Sequence, residues 1–295
     1  MESHLRPEIE RSVRTGRADR CQASPRVAAL MINRVRSRAL AGLLTWAILL
    51  PAAVLSQSPV AVLHTEGLVH GFLVLRTLEG DSLADGDLTQ VARGDRVTSH
   101  LVFRFKDGSV HEETVVFSQH HSFRIVSEHL LQKGPAFKHP IEVSIEGSTG
   151  QITVRYTDDD GKEKAVNDRL KLLPDVANGM ILTLLKNIRP DVPQTTVSMV
   201  AATPKPRLVK LLIAPEGEES FSVGGSRHKA TRYVVKVEIG GAAGLLAPLV
   251  GKQPQDTHVW ILGGDAPAFV KLEGPLYLGG PTWRIELTSP VWQDH

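Results

Sequence analysis

Apolar and polar residues alternate with a period of two along most of the chain. Val97, Ser99, Leu101, Phe103 and Phe105 alternate with Thr98, His100, Val102, Arg104 and Lys106. Asp107-Gly108 follows, then a second run from Val110 to Phe117. Asp-Gly between alternating runs signals a hairpin, because both turn positions favour φ > 0. Ile152, Val154 and Tyr156 repeat the alternation and end in a turn at Asp158-Asp159-Asp160-Gly161. Tyr233, Val235, Val237 and Ile239 repeat it again, as do Trp283, Ile285 and Leu287. Further strands are predicted at 67–78, 87–93, 122–131, 141–146, 207–213, 219–224, 257–262, 268–273 and 275–278. One apolar and one polar face per strand is the mark of an antiparallel sheet with one wet side.

One stretch departs from this period. After Asp175-Val176-Ala177-Asn178-Gly179, the residues Met180, Ile181, Leu184, Leu185 and Ile188 recur at helical spacing, and Pro190 stops them. The spacing predicts an amphipathic helix of about 12 residues over 177–188, capped by Asp175 or Asn178. A lone helix must bury its apolar face, and the sheet offers the surface. The expected fold is mainly β: an antiparallel, strongly curved sheet or flattened half-barrel with one central amphipathic helix. Residues 193–206 are rich in proline and read as a linker or a crossing between sheets.

The N-terminal residues change the compartment. Arg34, Arg36 and Arg38 precede an apolar run from Ala39 to Leu50, Pro51 breaks it, and Ala52, Ala53 and Ser56 follow. A basic start, a short apolar core and a small-residue exit predict a signal peptide over 31–56 and a periplasmic or secreted protein. A membrane-crossing helix needs ~20 apolar residues, so the alternative is an inner-membrane anchor formed by an uncleaved 39–55. Residues 1–30 read as a start placed upstream of the true one or as a disordered basic arm. Residues 57–295 read as a single β-rich domain.

Composition then narrows the chemistry. Residues 1–56 hold nine Arg and four acids out of the chain's 34 basic and 32 acidic residues, which leaves 25 basic and 28 acidic residues in 57–295. That near-neutral balance offers nothing to a nucleic acid. The one cysteine, Cys21, lies ahead of the domain in residues 1–30, so residues 57–295 have no disulfide or thiolate chemistry. His120-His121 are read as strand or turn residues pointing apart, and Asp158–Gly161 lacks the spacing of a calcium loop. Gly240-Gly241-Ala242-Ala243-Gly244 with Gly251-Lys252 fits neither phosphate-binding glycine pattern. Ser222 and Ser226 flank Gly224-Gly225 as a hairpin, and the chain has no Gly-x-Ser-x-Gly elbow. No cofactor and no metal are expected.

Three strings carry a resemblance: HVWILGGDAPAFVKLEGPLYLGGPTWRIEL at 258–287, FRIVSEHLLQKGP at 123–135 and LPDVANGMILTLLKN at 173–187. Together they resemble an uncharacterised family of exported bacterial proteins, a domain of unknown function. The order strands, helix, strands is also similar, in architecture alone, to the half-barrels of periplasmic lipoprotein carriers. The first likeness implies export and carries over no known activity. The second implies a cavity between sheet and helix.

The expected function is therefore a non-catalytic binding protein for a hydrophobic or lipid-like ligand in the cell envelope. Its ligand-binding residues would be Met180, Ile181, Leu184, Leu185, Trp260, Phe269 and Trp283, because aromatic and aliphatic side chains supply large apolar area. The partners would be an apolar small molecule or lipid, or an envelope protein, with no nucleic acid and no membrane span after signal cleavage. One alternative is an envelope scaffold that recruits proteins by strand addition. Another is an enzyme with a dispersed serine or carboxylate site, drawn from Asp175, Glu238, Asp265 and Glu286.

Overall fold

A computed structural model describes residues 59–223, 226–239 and 254–288. The leader at 31–56, the anchor alternative at 39–55 and the glycine-rich 241–250 lie outside the described residues.

Among the described residues, the alternating runs form 14 strands of one antiparallel sheet. They are β1 Val69–Arg76, β2 Ser82–Arg93, β3 Arg96–Phe105, β4 Val110–Gln119, β5 Phe123–Lys133, β6 Ile141–Glu146, β7 Gln151–Thr157 and β8 Glu163–Arg169, then β9 Thr195–Ala201, β10 Arg207–Val223, β11 Ser226–Glu238, β12 Thr257–Leu262, β13 Ala268–Pro275 and β14 Thr282–Leu287. Their order is β8-β7-β6-β5-β4-β3-β2-β1-β14-β13-β12-β11-β10-β9. Two meanders thus meet where the first strand pairs with the last, with Leu73 opposite Leu287 and Leu75 opposite Ile285. Asp107-Gly108 turns β3 into β4, with Gly108 at φ +85°.

So many twisted strands curl on themselves. The inner faces of β1–β5 and β9–β14 fill one core, which includes Leu75, Phe103, Phe117, Ile213, Tyr233, Val259 and Ile285. A second core joins Val143, Ile145, Ile152 and Val154 of β6 and β7 to Val200 of β9. Both ends of the sheet therefore share buried side chains. The two edge strands are protected differently. β8, with Glu163, Lys164, Asp168 and Arg169, is mostly exposed and charged, which discourages pairing. β9 is covered by the chain that runs from β8 to β9: Val176 bridges Ser198 in parallel, and Ala177 N–H donates to the Ser198 carbonyl over 2.8 Å.

That crossing corrects the helix prediction. Of 177–188, only Ile181–Leu185, here α1, is helical. Gly179 sits at φ +62°, outside helical space, so no helix can pass through it. Met180 precedes α1 without a side-chain cap. The polar residues expected to cap a helix make tertiary bonds instead. Asn178 pairs both ways with the Val200 backbone, at 2.7 and 3.1 Å, and Asp175 accepts from Ser198 Oγ. Half of the proline-rich 193–206, Thr195–Ala201, is the edge strand β9. No helix among the described residues is long and apolar enough to cross a membrane.

Candidate functional site

The end of the crossing builds a cavity. After α1 the chain turns through Lys186, Asn187, Ile188, Arg189 and Pro190. Asn187 locks this turn: its Oδ1 accepts from the backbone N–H groups of Leu63 and His64 at 2.8 and 2.7 Å, and its Nδ2 donates to the Thr183 carbonyl. Lys186 pairs with buried Glu66, whose backbone exchanges two hydrogen bonds with the Gln119 side chain. On the opposite side, Tyr233 of β11 donates its hydroxyl to the Ile188 carbonyl over 2.6 Å. Burial pushes the Tyr233 phenol up to about 12, so the donor proton stays in place.

Between these walls and the turn after β12 lies a cavity of about 440 Å³. Leu185, Ile188, Tyr233 and Ile261, all buried, give it an apolar interior. Lys186, Arg189 and Lys229 line it as cations, against one lining carboxylate, Glu218. Lys229 pairs with Glu218 at 3.3 Å. Arg189 forms a two-pronged pair with Asp191, which lies outside the lining; the hydrogen bond to Asp191 holds the guanidinium pKa above its ordinary value. The cavity thus joins an apolar interior to a charged rim in which each of the three cations is paired with a carboxylate.

Of the residues predicted to line a ligand space, one reaches this cavity: Leu185. Met180, Leu184, Phe269 and Trp283 are buried members of the main core, and Ile181 packs against it. Trp283 stacks with Phe105 and Tyr277, and Phe137 touches both of these rings, so the C-terminal aromatics form a solid cluster there. Trp260 stands on the other face of the sheet. Its flanking neighbours on β12, Val259 and Ile261, point into the core. Lys271 lies 3.9 Å and Arg232 5.3 Å from its ring, and its Nε1 donates to Glu219. Sequence reasoning missed Ile188, Tyr233 and Ile261 as a set. They come from the crossing and two strands, and only the register of β11 against β12 brings the last two together.

His120 and His121 are exposed in the turn between β4 and β5, with their rings 3.9 Å apart rather than on opposite faces. Asp158 closes the β7–β8 turn by accepting from the N–H groups of Asp160 and Lys162. No group of three or more His, Cys, Asp or Glu among the described residues is arranged to hold a metal ion. Asp175, Glu238, Asp265 and Glu286 occupy the crossing, the end of β11, the turn after β12 and β14 in turn.

A different acidic pair does converge. Glu113 of β4 and Glu128 of β5 face the interior diagonally, since Val115 is opposite Glu128 and Glu113 opposite Leu130. Burial pushes both pKa values up, and with Glu113 beside it Glu128 lies well above the ordinary carboxylate range. His111 is held neutral two residues along β4, lowered to about 4 by burial, and its Nδ1 lies 3.0 Å from the Gln132 amide.

No family model and no curated protein matches the chain. Among solved structures, it is similar to a β-barrel-like protein of a domain of unknown function, DUF1849, from Brucella abortus. The TM-score is 0.44 at 10% identity, covering 78% of this chain and 100% of that one.

Proposed function

We propose that the chain is a non-catalytic binding protein of the cell envelope, and that its ligand is an amphiphile with an apolar body and an acidic head. The observation that carries this reading is the cavity between the crossing and β10–β12, with Leu185, Ile188, Tyr233 and Ile261 inside and Lys186, Arg189 and Lys229 around them. The apolar body enters among the first four, and the head exchanges with the carboxylates that pair with the exposed cations Arg189 and Lys229. The envelope location rests on the signal-like pattern of 31–56.

The test is native mass spectrometry of the chain purified gently from its host. The expected result is a reproducible extra mass, released on denaturation and identified as an acidic amphiphile. The extra mass should fall away in Ile188→Glu, which puts a carboxylate inside the cavity. A bare mass from folded wild-type protein overturns the reading.

A second reading as an envelope scaffold has its own support. Residues 214–223 of β10 extend past β9, which pairs only with Arg207–Ile213, and so leave a free strand edge. The bulge at Pro215 and Gly217 interrupts that edge. Co-purification of an envelope protein that is lost on placing proline at Ser220 would favour this reading over the first.

A further inference from the structure

We propose that one proton shared by Glu113 and Glu128 fastens the 175–180 crossing to β4 and β5, and that its loss releases the crossing. The geometry requires that proton. An ionised carboxylate only accepts hydrogen bonds. The two acids lie diagonally on the same interior face of β4 and β5, and no donor among the described residues reaches the buried Glu128 Oε2. A proton on one of the acids supplies the donor that this oxygen lacks. Glu128 is 5% exposed, so two adjacent charges there would be both desolvated and mutually repelled.

The pair sits directly under the crossing. Asn178, next to Gly179 on the crossing, pairs its side-chain amide with the Val200 backbone of β9. At Gly179 the backbone lies so close to β4 that an added Cβ would be 2.0 Å from Val115 Cγ2 and 3.4 Å from the Glu113 carboxyl carbon. A second negative charge at this point has no room to draw in water without lifting the crossing.

The surrounding charges do not relieve it. On the interior face of β4 the other titratable group is His111, which burial keeps neutral. On the crossing, Asp175 adds a further acid, buried beside Ser198. β9 carries no titratable residue. Lys186, further along the crossing, is paired with Glu66. His100 with Glu112, and His129 with Glu142, pair on the opposite face of the sheet. The same crossing supplies Leu185–Pro190 to the cavity. On the ligand-binding reading, and only on it, deprotonation would therefore also loosen the cavity wall.

The test is hydrogen exchange of the full chain without ligand, from about pH 6 to about pH 10, with rates corrected for intrinsic base catalysis. In the wild type, opening of the 175–188 amides should rise roughly tenfold or more across this range, while β12–β14 amides stay unchanged. Glu128→Gln reproduces the donor and the net charge of the singly protonated pair, so its opening should be flat with pH. Wild-type opening that is independent of pH, or the same rise in Glu128→Gln, overturns the proposal. Infrared spectroscopy at neutral pH gives a second readout that needs no variant: a protonated carboxyl band must be present in the wild type, and its absence overturns the proposal. Because neither measurement uses a ligand, failure here is separate from failure of the binding function.

Discussion

The hydroxyl of Tyr233 reaches the backbone carbonyl of Ile188 over 2.6 Å and ties the middle of β11 to the end of the crossing. Both groups are buried. Removing the donor takes away the protein partner of that carbonyl. Tyr233→Phe should cost about 1–3 kcal/mol in urea unfolding and loosen the cavity wall at Ile188. An unchanged midpoint would mean that the carbonyl finds another partner.

Gly86 makes a comparable point about shape. It lies opposite Phe103 on β3, and an added Cβ would be 2.4 Å from the Phe103 ring and 2.8 Å from Leu73 Cβ. The ring occupies the space that a side chain at 86 would need. Gly86→Ala should destabilise by about 1–3 kcal/mol. Gly67 has nothing within 4 Å and is not held at positive φ, so Gly67→Ala should be neutral or stabilising by up to about 1 kcal/mol. Thermal unfolding of the two variants side by side checks this.

His111 gives the chain an acid-sensitive interior. Its pKa is lowered to about 4 in the fold from 6.5. The folded state therefore binds fewer protons than the unfolded state between these values, and stability falls as pH drops from 6.5 to about 4. Protonation also removes the acceptor that faces the Gln132 amide. The loss should be on the order of 3 kcal/mol. The raised carboxyls of Glu113 and Glu128 act in the opposite sense and lose stability as pH rises above 4.5. The clean observable is a difference: relative to His111→Gln, the wild type should lose stability on acidification through this window. Equal pH profiles would remove His111 from the account.

Leu184 tests whether the core and the cavity are separate. It is 3% exposed in the main core and does not line the cavity. Leu184→Ala should cost about 2–5 kcal/mol and leave any ligand load on the folded fraction unchanged. Ile188→Glu should reduce the load on the folded fraction, with its own stability cost from placing a carboxylate at a buried position. Native mass spectra read together with unfolding curves distinguish the two effects.

Most of the sheet is legible in the chain because the alternation of period two is strong and the turns are marked. Asp107-Gly108 and Asp158–Gly161 sit at the β3–β4 and β7–β8 connections where they are expected. The crossing misleads for a specific reason. Its apolar spacing fits a helix, but Asn178, Asn187 and Asp175 are used for bonds to residues far along the chain, and Gly179 takes a positive φ. Trp260 misleads because residues on both faces of β12 are buried, so hydrophobicity alone cannot say which face looks inward. The cavity depends on long-range register and leaves no local pattern. The Glu113–Glu128 pair is hidden for the same reason, since the two acids look like ordinary solvent-facing residues of alternating strands.

The strand order also constrains how the chain can acquire its structure. Each meander can form from neighbours, one hairpin at a time. The seam between them cannot, because Leu73 waits for Leu287, roughly 210 residues further on. While a ribosome or a translocation pore is still delivering the chain, β1 has one unpaired edge, and the closing strand is the last to arrive. Formation of that seam, a contact with a high loop-closure cost, should set the slow step of folding. A chain truncated before Thr282 would keep two sets of hairpins and lose the junction that makes them one sheet.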